Sequence, residues 1–180
     1  MTIENLIDKY LNLLISDGGN FANEDEESES YYLDKQGDLR WAALQSRATD
    51  EQIAAIEQKI GHILPNSYKR MLKHKHFVEL YIGDCTFYGH TVEDWDTNFI
   101  EYVLDSFDNE FLIDNGKIPF ASYQDYGWFC FDTKVKCEQN DYPVVVLDHE
   151  DYSIIETYKN FIEMLAGQDE IDENSKVTDN

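Results

Sequence analysis

The chain has 180 residues, 42% of them hydrophobic and 14% aromatic, enough for one domain with a sizeable core. Its 14 Lys and Arg stand against 37 Asp and Glu, a formal net charge of −23. Such a surface repels nucleic acids and anionic membranes and attracts cationic partners, so neither a nucleic acid nor a membrane is expected as a partner.

MTIENLIDKY has no basic region ahead of an apolar stretch, so no secretory leader is expected. In IENLIDKYLNLLI, residues 3–15, apolar side chains fall at 3, 6, 7, 10, 11, 13, 14 and 15, the broad stripe of an amphipathic helix. SDGGN stops it. ANEDEESES, 22–30, is too polar to bury anything and reads as a mobile acidic linker or loop. YYLDKQGDLRWAALQ returns to foldable composition, with Trp41 and Leu44 reaching the core. The division is an N-terminal helix and acidic linker over 1–40, an α+β domain over 41–167, and an acidic flexible tail over 168–180.

Residues 48–77 carry the clearest local grammar. Thr49 with Gln52 makes a capping box, Ile53, Ile56 and Ile60 share one helical face, and Gly61 closes the helix. Pro65 opens a second helix that buries Tyr68, Met71 and Leu72. The period then changes. VELYIGDCTFYGH predicts two strands about a Gly83-Asp84 turn, and TNFIEYVLDSFDNEF, 97–111, returns to helical spacing. KIPFAS starts a strand after Asn115-Gly116. WFCFD is a strand with Trp128, Cys130 and Asp132 on one side and Phe129 and Phe131 on the other. YPVVVLDHE is the strongest strand. SIIETYKNFIEMLAG, 153–167, reads as the closing helix, capped by Ser153 and Glu156 and ended by Gly167. The order predicts an α+β fold: a mostly antiparallel sheet, helices packed on one face, an N-terminal helical segment and a closing C-terminal helix.

Motifs for catalysis are absent from the sequence: no Gly-rich phosphate loop, no GxSxG, no HExxH. Cys130 lies between Phe129 and Phe131, where burial raises a thiol pKa, and reads as a core residue rather than a nucleophile. Cys85 falls in a strand and Cys137 in a polar loop. Three cysteines without a CxxC point to reduced thiols in the cytoplasm. His74 and His76 are two apart and share no helical face, while the acid-rich turn at His149 lacks the spacing of a calcium loop. No metal, cofactor or catalytic residue is expected.

ATDEQIAAIEQKIGHILPNSYKRML resembles the opening of the SUKH superfamily, in Ile53, Ile56-Glu57, Ile60-Gly61, Leu64-Pro65, Tyr68 and Met71-Leu72. The IPFA strand at 118–121, the aromatic strand ending in Phe131-Asp132, the PVV strand at 143–145 and the helix from Phe161 to Leu165 follow in the same order. The glycine usual after the second helix is replaced by HKHF, and residues 1–40 lie outside the pattern. The resemblance implies an α+β fold without catalysis. It also implies an immunity protein that neutralises a cognate toxin domain, often a nuclease, or else a regulatory scaffold of the cell-wall-regulator type.

A basic toxin suits the charge. Residues 77–160 hold four cationic side chains against eighteen carboxylates, whereas 41–76 hold six against three. Three segments combine acids with aromatics, as a hot spot for a cationic partner would: Asp94, Trp95 and Asp96; Tyr123, Asp125, Tyr126 and Trp128; and Asp148, Glu150 and Asp151 beside His149. Core and rim placements both stay open for Tyr126 and Trp128.

Overall fold

The apolar stripe of residues 3–15 becomes α1, Ile3–Ser16, in the computed structural model, which describes residues 2–25, 27–105, 109–135 and 141–178. The Thr2 hydroxyl accepts the Asn5 N–H at its start, and Ile3, Leu6, Ile7, Tyr10 and Leu11 are buried. These side chains enter the same core as the rest of the chain. A hairpin of β1, Tyr31–Leu33, and β2, Leu39–Trp41, follows; then β3, Leu44–Gln45, pairs with β4, Lys75–His76. Between β3 and β4 lie α2, Asp50–Ile60, and α3, Asn66–Leu72. The capping box of Thr49 and Gln52 forms as the sequence predicts, and Gly61 takes the left-handed conformation that ends α2.

The cationic stretch is consumed internally. Lys69 pairs with Glu57, Arg70 with Glu4, Lys73 with Asp50 and Arg47 with Glu29. Its positive charge is therefore spread over ion pairs rather than offered as a patch.

The main sheet is a six-stranded antiparallel meander in which each strand pairs with the next in sequence: β5, Leu80–Ile82; β6, Cys85–Phe87; β7, Lys117–Tyr123; β8, Gly127–Asp132; β9, Val144–Asp148; and β10, Ile154–Tyr158. Between β6 and β7 the chain makes α4, Trp95–Asp105, and α5, Asn109–Asp114; α6, Phe161–Thr178, closes the fold. The architecture is the expected α+β one.

Alternation along the strands builds two faces. Phe129, Phe131, Val144 and Val146 enter the main core with α1, α3 and α6. At its centre the Tyr68 ring lies 5.2–6.0 Å from Phe99, Phe120, Phe131 and Phe161. Such pairs contribute about 0.5–1.5 kcal/mol each beyond area burial. Cys130, Val145 and Leu147 turn to the second face, where α5 covers them with Leu112. Cys130 is a core residue, as its neighbours predict.

The predicted helix over 153–167 is corrected at its start and its end. Ile154–Tyr158 is strand, because β-branched Ile154, Ile155 and Thr157 meet the open edge of β9, which offers backbone partners that a helix would leave unused. Asn160 caps the helix instead, its side-chain oxygen accepting the Glu163 N–H. Gly167 does not end α6, which runs on to Thr178. A Cβ at Gly167 would lie 3.2 Å from the Tyr158 ring, so the glycine serves close packing rather than termination. Beyond it Gln168 and Asp169 are buried, with Asp169 accepting from Lys9 and Tyr10 of α1. Near the end of the acidic run of 22–30, the Glu93 carboxylate accepts the Glu29 N–H at 2.8 Å and the Ser28 hydroxyl at 3.1 Å. Cys137 lies outside the described residues.

Candidate functional site

Three hairpin turns meet at one end of the sheet. Gly83-Asp84 joins β5 to β6, Gln124–Tyr126 joins β7 to β8, and His149–Ser153 joins β9 to β10. They are tied sideways: Gln124 donates its backbone N–H to the Asp84 carbonyl at 3.3 Å and its side-chain amide to the Asp84 carboxylate at 2.5 Å. The His149 N–H donates to the Tyr126 carbonyl at 2.9 Å. Gly127 stands opposite Asp148 in the β8–β9 register, and a Cβ there would fall 1.7 Å from the Leu147 carbonyl oxygen.

Two of the three predicted segments are thereby brought together. Tyr126 is 58% exposed at the tip of its turn, Asp125 and Glu150 are exposed, and Tyr123 and Trp128 are half-buried behind them. Asp148 and Asp151 each use one carboxylate oxygen to hold their own turn, accepting from Glu150 N at 2.7 Å and Ser153 N at 2.9 Å. The Ser153 hydrogen bonds hold the Asp151 carboxyl below its ordinary pKa, so its charge persists under mild acid. Among the described residues no ion pair neutralises Asp84, Asp125, Asp148, Glu150 or Asp151. The field shows at Tyr123, whose hydroxyl pKa is raised first by burial and then by the charges of Asp84 and Glu156.

The third segment lies elsewhere. β6 leads the chain away from the turns, and Glu93 meets Ser28 and Glu29 at a hollow of about 510 Å³. Asp94 is exposed, Asp96 accepts the Gln52 side-chain amide at 3.2 Å, and Trp95 is buried, its ring 4.8 Å from that of His90. Trp95 therefore offers no contact surface.

Sequence reasoning missed Asp84 and Tyr152 as members of the turn surface. Asp84 sits in a turn the sequence announced, but its place beside Gln124 follows from strand register. Tyr152 adopts a left-handed backbone with φ of 59°, and Gln124 does so with φ of 45°. These two non-glycine residues occupy neighbouring turns, the kind of backbone outlier that clusters at functional sites. The alternation of WFCFD did not reveal that Trp128 and Tyr152 stack across β8 and the β9–β10 turn.

The turns offer exposed carboxylates and aromatic rings, groups suited to recognising a cationic surface. Burial pushes the Cys85 and Cys130 thiols up, away from the reactive thiolate. Among the described residues no three His, Cys, Asp or Glu side chains converge as metal ligands. None of the described helices is long and apolar enough to cross a membrane.

A family model described as SUKH_6, SMI1-KNR4 cell-wall, matches residues 50–165, more than half of the chain. No curated protein matches it.

Proposed function

The chain belongs to the SUKH_6, SMI1-KNR4 cell-wall, family, and on that premise we propose that it is an immunity protein that neutralises a basic toxin domain through the three hairpin turns. The family covers toxin-immunity proteins and cell-wall regulators and is generally non-catalytic. The observation that carries the reading is the gathering of Asp84, Asp125, Asp148, Glu150 and Asp151 around Tyr123, Tyr126 and Trp128, with no cation paired to those acids among the described residues.

The physics follows from that geometry. A toxin that grips phosphates is cationic at its own site. Opposite fields steer the two proteins together and raise the association rate, and fast capture is what protection demands. At contact, aromatic rings backed by a rigid sheet supply the short-range part of the affinity. The same −23 keeps nucleic acid away from this chain. Buried, unoxidised Cys85 and Cys130 suit the cytoplasm, where such a toxin would be met.

The test is affinity capture of the tagged chain from its own cells at low and high salt, with mass spectrometry of what remains. A single basic, toxin-like partner held near one-to-one at low salt and weakened at high salt is the expected result. Several housekeeping proteins without a toxin would favour the cell-wall regulatory scaffold, a reading supported by the family's description.

A further inference from the structure

The six-stranded sheet ends at β10, which pairs with β9 on one side and, among the described residues, with no strand on the other. The opposite edge is protected. There β5 has three residues, Leu80 and Ile82 are buried, and α1 and α6 pack against it. β10 has five residues and is open: Ile154 to Thr157 are exposed, Ile154 by 56% and Ile155 by 47%. Its register with β9 shifts between Ile154 and Glu156, so Ile155 has no partner there. Edges that stay single carry lysine, proline or bulges that turn pairing away. β10 has the bulge, but its exposed side chains include Ile154, Ile155 and Thr157, and the strand holds neither lysine nor proline. An open row of β-branched residues of this kind is a template for another strand.

Charge selects that strand. From Tyr152 to Ile162 the charged side chains are Glu156 and Lys159, so the edge is neutral in a chain of −23. It has no field with which to draw a cationic partner, as the turns have. Asp151 and Lys159 lie equally far in sequence on either side of Ile155. A second copy approaching antiparallel, about a two-fold axis near Ile155, therefore brings each Lys159 to Glu150 and Asp151 of the other. Lys159 is exposed and, among the described residues, forms no ion pair. Charges farther apart than about 8 Å are screened at physiological salt, so the remaining carboxylates oppose the contact only weakly.

We propose that β10 is the seam of a homodimer, in which two six-stranded sheets join edge to edge across this axis. The antiparallel seam sends the hairpin turns of the two copies to opposite ends. Asp84, Asp125 and Tyr126 lie on turns away from the seam and stay open to a partner. The dimer goes beyond the immunity reading and does not rest on it.

The test is sedimentation equilibrium of the full chain at about 0.15 M salt, with hydrogen exchange of the β10 amides at the same concentrations. The mass is expected to rise from one chain to two with a midpoint of about 50 μM, as befits a short seam. Exchange at Ile154–Thr157 is expected to slow in step. Ile155→Lys places a charge on the exposed edge and is expected to raise the midpoint at least about tenfold with the melting temperature unchanged. Lys159→Glu is expected to raise it about fivefold, and Glu150→Lys in the same chain to recover part of that loss. A structural fault would not be rescued in this way. A single-chain mass throughout, masses beyond two chains, or a dimer indifferent to Ile155→Lys would each overturn the seam. Protection of the β10 amides only when the captured partner is added would give the edge to that partner and overturn the homodimer.

Discussion

The imidazoles of His76 and His90 stack in the interior, ring centroids 4.7 Å apart and planes 29° from parallel. His76 accepts the Arg47 N–H at Nε2 and donates from Nδ1 to the His90 carbonyl, so its neutral tautomer is fixed from both sides. His90 donates from Nε2 to the Leu72 carbonyl at 2.7 Å. Burial pushes both rings down, His90 to about 3, with the neighbouring His76 adding to its shift. At His76 the hydrogen bond to the His90 carbonyl opposes burial, Arg47 adds to the lowering, and Glu93 and Glu29 oppose it to a smaller extent.

The stability of the fold is therefore expected to depend on pH above the carboxylate range. A histidine depressed on folding contributes stability that is present above the unfolded value near 6.5 and is lost as pH falls toward the folded value. For His90 that window runs from about 6.5 down toward about 3. Each ring that stays neutral in the fold removes about 1.4 kcal/mol per pH unit within its window. Urea unfolding at pH 7.5, 6.5 and 5.5 measures the slope. His90→Gln, which keeps a donor for Leu72, is expected to flatten it; an unchanged slope would assign the pH dependence to other groups.

Gly127 has no room for a side chain. Its Cβ position lies 1.7 Å from the Leu147 carbonyl oxygen, on backbone that a side-chain rotation cannot clear. Gly127→Ala is expected to part β8 from β9 and cost about 3 kcal/mol or more. Chemical denaturation of the variant checks this, and a loss below about 1 kcal/mol would show that the strands yield there.

Residues past Gly167 hold the fold together. Gln168 donates to the Tyr158 hydroxyl at 3.0 Å and accepts the Asp84 N–H at 2.8 Å, so α6 supports one of the three turns directly. Gln168→Leu leaves both partners wanting and is expected to cost about 1–3 kcal/mol. Truncation after Gly167 is expected to cost more, because the Asp169 contacts with Lys9 and Tyr10 go as well. Thermal melts of the two variants beside wild type rank them, and a truncated chain as stable as the whole would reverse the ranking.

Two charge reversals separate the candidate patches. Asp125→Lys with Glu150→Lys alters exposed carboxylates of the turns and is expected to change stability by no more than about 0.5 kcal/mol. Its association rate with a basic partner is expected to fall about tenfold at low salt and converge on wild type at high salt. Asp94→Lys with Asp96→Lys is expected to have the smaller effect. Stopped-flow association with the captured partner decides between them, and the opposite order would move the interface to the hollow beside Glu93.

Local signals were read well wherever neighbours in sequence are also neighbours in space. The Thr49 capping box, the Gly61 stop and the alternation of Phe129 and Phe131 against Cys130 all rest on contacts within a few residues. The segment 153–167 misled for the converse reason. Ser153 and Glu156 matched a capping box, but pairing with Val144–Leu147 outweighed it, and that partner strand lies outside the segment whose helical pattern suggested the helix.

The candidate site divides in the same way. Composition determined its sign: 37 carboxylates against 14 cations fix an acidic surface whatever the fold. Residue type determined which segments combine acids with rings. Tertiary structure decided that Asp84, Asp125 and Glu150 share one end of a sheet, that Trp95 is buried, and that Tyr152 stands between Trp128 and Phe111. Helical and strand periods act over a few residues and are written in the chain, whereas strand register and the packing of α5 on the sheet join residues tens of positions apart and exist only once the chain has folded.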